Sequence, residues 1–145
     1  MALSPIDLRR GDCQELEALL SERIYEFNSR ATGYFDGESF GAVQKDDSGK
    51  AVGGITGYTW GGCCYVSYLW VAEEHRGRGI GGALLKAAEA NAKDRQCTIA
   101  FVASHSFQSP GFYVHLGYEQ LAAIRDHPVG HSSFFLAKRL AQPTD

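Results

Sequence analysis

Residues 63–95 read CCYVSYLWVAEEHRGRGIGGALLKAAEANAKDR, and three kinds of local order follow one another within them. The opening run, 63–72, is aromatic and β-branched at both odd and even positions, which predicts a central strand covered on both sides. Strict alternation puts Cys63, Tyr65, Ser67, Leu69 and Val71 on one face, and Cys64, Val66, Tyr68 and Trp70 on the other. Residues 73–82 form a glycine-rich connection, and 83–95 are strong helix formers throughout. A helix entered from such a loop presents unpaired N–H groups at the positive end of its dipole. Glycines let a ligand approach that backbone closely, so the loop reads as an anion site suited to a phosphate or pyrophosphate. Arg76 and Arg78 add positive charge. The plainer reading is a flexible turn with solvated arginines.

Outward from this stretch the pattern continues. Upstream, 39–44 and 51–60 are strand-like around the turn signal DDSG, which predicts an antiparallel hairpin. Before them, Leu16, Leu19, Leu20, Ile24 and Phe27 recur at three- and four-residue steps, predicting an amphipathic helix over 12–30 with Asp12 as N-cap. Downstream, TIAFVA (98–103) reads as a short buried strand and SPGFYVHLG (109–117) as a brief helix ended by Gly117. Two last strands, 118–124 and 132–140, flank the turn RDHPVGH, and the tail AQPTD reads as frayed. The fold class is α/β of the α+β, mixed-sheet kind, with helices on both faces.

The chain has 145 residues, 44% of them hydrophobic, enough for one domain spanning 1–145 with a single core. Its 14 basic and 17 acidic residues give a net charge of −3, which disfavours nucleic acid as the main partner. No segment reads as a secretory signal, and none approaches the ~20 apolar residues of a membrane span. The cysteines (Cys13, Cys63, Cys64, Cys97) show neither CxxC pairing nor a histidine at finger-like spacing. Neighbouring Cys63 and Cys64 point to opposite faces of a strand. No metal site or disulfide framework is therefore expected, and the chemistry suits a cytoplasmic protein. An acyl-cysteine route is disfavoured, because a buried free cysteine usually serves as a small hydrophobe.

Two phosphate-binding motifs fail here. Residues 77–82 spell GxGxxG, but the strand that follows ends in Ala103-Ser104 with no acidic residue, and the upstream strands form hairpins. A Walker A loop needs Gly-Lys-Ser/Thr, which is absent. A third pattern fits. Arg76-x-x-Gly79-x-Gly81, with LWVAEEH before it and IGGALLKAAE after it, resembles the pyrophosphate loop of the GCN5-related N-acetyltransferase (GNAT) superfamily. Phe112-Tyr113-Val114-His115-Leu116-Gly117-Tyr118 resembles that family's second signature, and the resemblance runs from the first helix to FFLAKRL.

The resemblance implies a GNAT acyl-CoA N-acyltransferase fold with antiparallel N-terminal strands and a central parallel pair. It implies acetyl-CoA as the cofactor, held by Leu69, Val71, the loop Arg76, Gly77, Arg78, Gly79, Ile80, Gly81 and Gly82, and by Ser106 and Tyr113. Ser106 stands where many relatives carry Asn. Tyr113 is expected beside the sulfur, where a phenol with a pKa near 10 can donate a proton to a departing thiolate. An amine with a pKa near 10.4 is neutral in only about one molecule in 2,500 at pH 7, so a proton acceptor is needed. The strand positions that often supply it are here Tyr65 and Ser67, expected to touch substrate instead. Glu73 is the catalytic candidate, with His75, His105, His127 and His131 as others; His131 is also expected to contact the acceptor. A backbone N–H near Val71 would face the developing oxyanion.

The reaction implied is direct acetyl transfer to the primary amine of a small molecule: an amino acid, polyamine or aminoglycoside-like compound. Peptide or protein amines, or a non-catalytic acyl-CoA-binding role, are the alternatives. Asp36, Glu38, Asp46 and Asp47 could draw a cationic acceptor or simply solvate turns. A homodimer is compatible with this reading.

Overall fold

A computed structural model describes residues 1–140. It contains two units, Met1–Phe35 and a second from Asp36 onward. In the first, α1 spans Gln14–Thr32. Asp12 Oδ1 accepts the Gln14 N–H at 3.1 Å, so its carboxylate serves the helix start although Cys13 is the N-cap. The helix runs two residues past the expected end at Arg30 and stops at Gly33, whose φ of 80° is the left-handed conformation that glycine adopts without strain. Its apolar stripe, Leu16 to Phe27, is exposed.

The second unit is a six-stranded sheet in the order β1-β2-β3-β4-β6-β5. Its strands are β1 (Glu38–Lys45), β2 (Ala51–Trp60), β3 (Cys63–Val71), β4 (Ile99–His105), β5 (Glu119–Arg125) and β6 (Ser132–Arg139). The hairpin around DDSG forms as predicted, tied by Asp46 Oδ1, which accepts the Ser48 and Lys50 amides and the Ser48 hydroxyl. The Ser48 hydroxyl bond, more than any other cause, holds the Asp46 carboxyl below its usual range. Only β3 and β4 pair in parallel; every other neighbour is antiparallel. Helices α2 (Ile80–Asp94) and α3 (Pro110–His115) share one core with the sheet, built around Ile55, Val66, Leu85, Val102, Tyr113 and Leu136. Among the described residues no helix is long and apolar enough to cross a membrane.

Two sequence expectations need correction. Helix α2 begins at Ile80 rather than 83, so Gly81 and Gly82 belong to its first turn. The reason is local: Gly79 takes φ 81° and caps the helix, and Ala83 N–H bonds the Gly79 carbonyl at 3.0 Å. The face assignment along β3 also changes. Thr56 pairs with Tyr68 and Gly57 with Val66, so Ser67 is an extra residue, a β-bulge. Beyond it the parity inverts. Leu69 and Val71 join Cys64 and Val66 on the α2 side, while Tyr65, Tyr68 and Trp70 face away. Within this unit that outer face is open, Tyr68 being 79% and Trp70 54% exposed.

Candidate functional site

The central strands part company. β3 and β4 pair from Cys63/Ile99 to Val66/Val102 and no further. β3 continues beside β2 to Val71, and β4 continues beside β6 to His105. Between them a wedge opens, and the edge of β3 from Ser67 to Val71 has no strand next to it. Ala72 N–H bonds Val52 O on β2, so by alternation the N–H and C=O of Val71 and Leu69 point the other way, into the wedge. Arg76 Nε confirms this side by donating to Val71 O at 3.0 Å.

The glycine loop follows the upper end of β3. A 3-10 turn, Glu73–His75, leads to Gly77 (φ 76°) and Gly79 (φ 81°). Among the described residues, no acceptor bonds the backbone N–H groups of Gly77, Arg78, Gly79, Ile80, Gly81 or Gly82. These amides therefore stay available at the positive end of α2, as an anion site demands. A side chain at Gly77, Gly79 or Gly82 would meet open space, whereas one at Gly81 would lie 3.4 Å from Phe112 Cζ and 3.7 Å from Val71 Cγ2. So α3, α2 and the end of β3 converge at Gly81.

Tyr113 follows Phe112 and lies in the same core cluster as Val66 and Val102, the last paired residues of the wedge. Its ring is 8% exposed and packs edge-on against Phe112 and Tyr118, at centroid distances of 5.1 and 5.7 Å. Its hydroxyl bonds no described residue and still reaches the surface. Burial pushes its pKa up, so the phenol keeps its proton throughout the neutral range. Tyr118 differs: its hydroxyl donates to Glu89 Oε2 at 2.8 Å, and Glu89 also accepts from Lys138 at 3.0 Å. Tyr118 is a core residue.

The remaining predicted residues are distributed as follows. Tyr65 packs at 4.9 Å, tilted by 41°, against Phe101 of β4 on the outer face of the sheet, and Ser67 is the bulge residue. Ser106 Oγ accepts the Ser132 N–H and its own N–H bonds Ser132 O, so it joins β4 to the start of β6. Arg78 Nη1 donates to His75 Nδ1 at 3.1 Å. Glu73 is exposed in the 3-10 turn, and no described residue orients its carboxylate. Of the acidic residues, Asp36 accepts the Gly61 N–H and Glu38 pairs with Arg95, whose Nη2 also donates to Asp36 O. Asp46 stays in its turn. Cys64 is buried and its thiol pushed up to about 12, which keeps it neutral.

One grouping was not anticipated. At the far end of β4, His105 stacks on Phe107 (5.2 Å, 4° between planes) and meets His127 edge-on at 5.1 Å. Phe107 in turn meets His131 at 5.1 Å. The β5–β6 turn is thereby folded against the end of β4, and His131 stands in this aromatic group. Sequence spacing hides it, because His127 lies 22 positions from His105.

Residues 7–118 match the acetyltransferase (GNAT) family. The chain belongs to that family. A blasticidin-S acetyltransferase from Streptomyces morookaense is 38% identical over 95 residues, covering 65% of this chain and 70% of its own. The crystal structure of an acetyltransferase from Bacillus cereus superposes with a TM-score of 0.78 at 33% identity, covering 93% of this chain and 98% of that one. An aminoglycoside 6'-N-acetyltransferase complexed with coenzyme A shares the fold, with a TM-score of 0.65 at 17% identity over 74% of this chain and 76% of that one. The GNAT fold, with its central parallel pair, is thus what the sequence resemblance implied.

Proposed function

We propose that this GNAT protein is an acetyl-CoA-dependent N-acetyltransferase acting on a primary amine of a small molecule. The observation that carries this reading is the run of unbonded amides from Gly77 to Gly82 beside the open edge of β3. A diphosphate fits the first, since each N–H can donate and the helix dipole favours negative charge. An extended arm with amide groups fits the second, because Leu69 and Val71 offer backbone donors and acceptors like those of a missing strand. Bound there, the thioester supplies the activated acyl group.

In this reading the protein positions and moves protons. Arg76 is held by Val71 O through Nε, which leaves its remaining nitrogens for the diphosphate. The Val71 N–H stabilises charge developing on the carbonyl oxygen. Tyr113 gives its proton to the departing sulfur. The acceptor lies toward Tyr65, Phe101 and His131, and the related blasticidin-S acetyltransferase puts blasticidin S first on the list of acceptors to try.

The test is free-thiol release from acetyl-CoA across a panel of blasticidin S, aminoglycosides, polyamines and amino acids. Tyr113→Phe is expected to lower kcat by about 10- to 1,000-fold with little change in the KM for acetyl-CoA, as loss of a proton donor requires. Protection by CoA against heat without turnover on any amine would replace catalysis by binding alone.

A further inference from the structure

We infer that His105 is the general base of the transfer reaction, its tautomer set by a backbone carbonyl. The inference rests on the proposed function and adds the proton acceptor that reading lacks. His105 Nδ1 lies 2.9 Å from the His127 carbonyl oxygen. A carbonyl only accepts, so Nδ1 carries the hydrogen and, in the neutral ring, Nε2 holds the lone pair. The ring cannot turn freely, because Phe107 stacks on one face and the His127 ring abuts it. Gln108 Oε1 fixes the backbone beneath by accepting the His105 N–H at 2.7 Å.

Position and exclusion support the same residue. His105 ends β4, three residues beyond the last β3–β4 pair, which is about 10 Å along the wedge wall. By alternation it shares the outer face of the sheet with Phe101, hence with Tyr65. The other histidines are less suited. His75 has its Nδ1 lone pair occupied by an arginine. His127, His131 and His115 are exposed, with no hydrogen bond to fix a tautomer among the described residues. Glu73 lacks an orienting partner as well.

The proton count closes. The acceptor ammonium gives one proton to Nε2, which passes it to solvent while Nδ1–H stays bonded to the carbonyl. The nitrogen then forms the C–N bond as the C–S bond breaks. The sulfur keeps the electron pair and takes the Tyr113 proton, and the second nitrogen proton restores the phenol through water. Of titratable groups, the His127 ring faces His105 directly; Asp126 and His131 share its turn, with Asp126 Oδ1 accepting from Gly130 N–H.

The experiment is the pH profile of kcat/KM for the amine, using His105→Asn, whose amide can still donate to the His127 carbonyl. We expect a drop of about 100-fold at pH 7 and loss of the acid limb of the profile. Binding of CoA, read by thermal shift, should stay within twofold. Added imidazole should restore part of the activity of His105→Ala, which a packing defect would not allow. An unchanged acid limb in His105→Asn, or its disappearance in Glu73→Gln instead, would overturn the assignment. Absence of turnover by the wild-type protein would instead count against the proposed function itself.

Discussion

Gly57 and Gly82 show two different reasons for a glycine. A Cβ at Gly57 would lie 2.3 Å from Phe40 Cζ and 2.4 Å from the Tyr65 carbonyl oxygen, so the residue exists to admit the Phe40 ring beside the β3 bulge. Both contacts are too short to relax cheaply, since one is backbone. Gly57→Ala should therefore destabilise by about 3 kcal/mol, read as a lower midpoint in urea unfolding. Gly82 meets nothing within 4 Å and sits in the first turn of α2. Alanine there should raise stability by about 0.5–1 kcal/mol through helix propensity. The same change should weaken CoA binding several-fold in calorimetry if a diphosphate lies against that backbone. Equal CoA affinity for both proteins would show that the space above Gly82 is not used.

At the scale of elements, a buried clasp joins α2, the chain after α3, and β6. Glu89 of α2 accepts from the Tyr118 hydroxyl and from Lys138, and the Lys138 ammonium also lies 5.7 Å from the Tyr118 ring centre. Removing the carboxylate leaves a buried phenol and a half-covered ammonium without their acceptor. Glu89→Ala should cost about 2–4 kcal/mol, measured by denaturant unfolding. Much of this layer was legible in the sequence: the strands of the sheet follow from alternation and turn chemistry, and the parallel pair from the family resemblance, while the start of α2 was placed three residues late. The clasp was not legible, because the register that joins Glu89 to Lys138 depends on how strands β4 and β6 pair. The inverted faces of β3 were missed for a related reason. Neither Tyr68 nor Trp70 looks unlike a core residue, and a one-residue bulge leaves no mark in composition. Around the candidate site, Arg76-x-x-Gly79-x-Gly81 and Tyr113 were singled out by their resemblance to the family's two signatures. The setting of His105 was not, since it comes from a distant turn.

For the molecule as a whole, the buried titratable groups predict how stability responds to alkali. Burial raises the pKa of Cys64 to about 12 and also raises those of Tyr113 and Tyr118. The unfolded chain gives up these protons first, from about pH 9 for the thiol and pH 10 for the phenols. Their contribution is complete below those values and is lost as pH rises through the folded values. Unfolding free energy should thus fall steadily above pH 9, by at most about 1.4 kcal/mol per pH unit for each group. Cys64→Ala should lower the starting value yet flatten the early part of that decline, and an unaltered slope would show that the thiol is not responsible. The extra residue at Ser67 has a practical sequel for anyone remodelling the outer face of the sheet. A mutant library that counts every second position along β3 would, from residue 68 onward, randomise the layer under α2 and leave the outward one untouched. Choosing Tyr65, Tyr68 and Trp70 together keeps such a library on the surface.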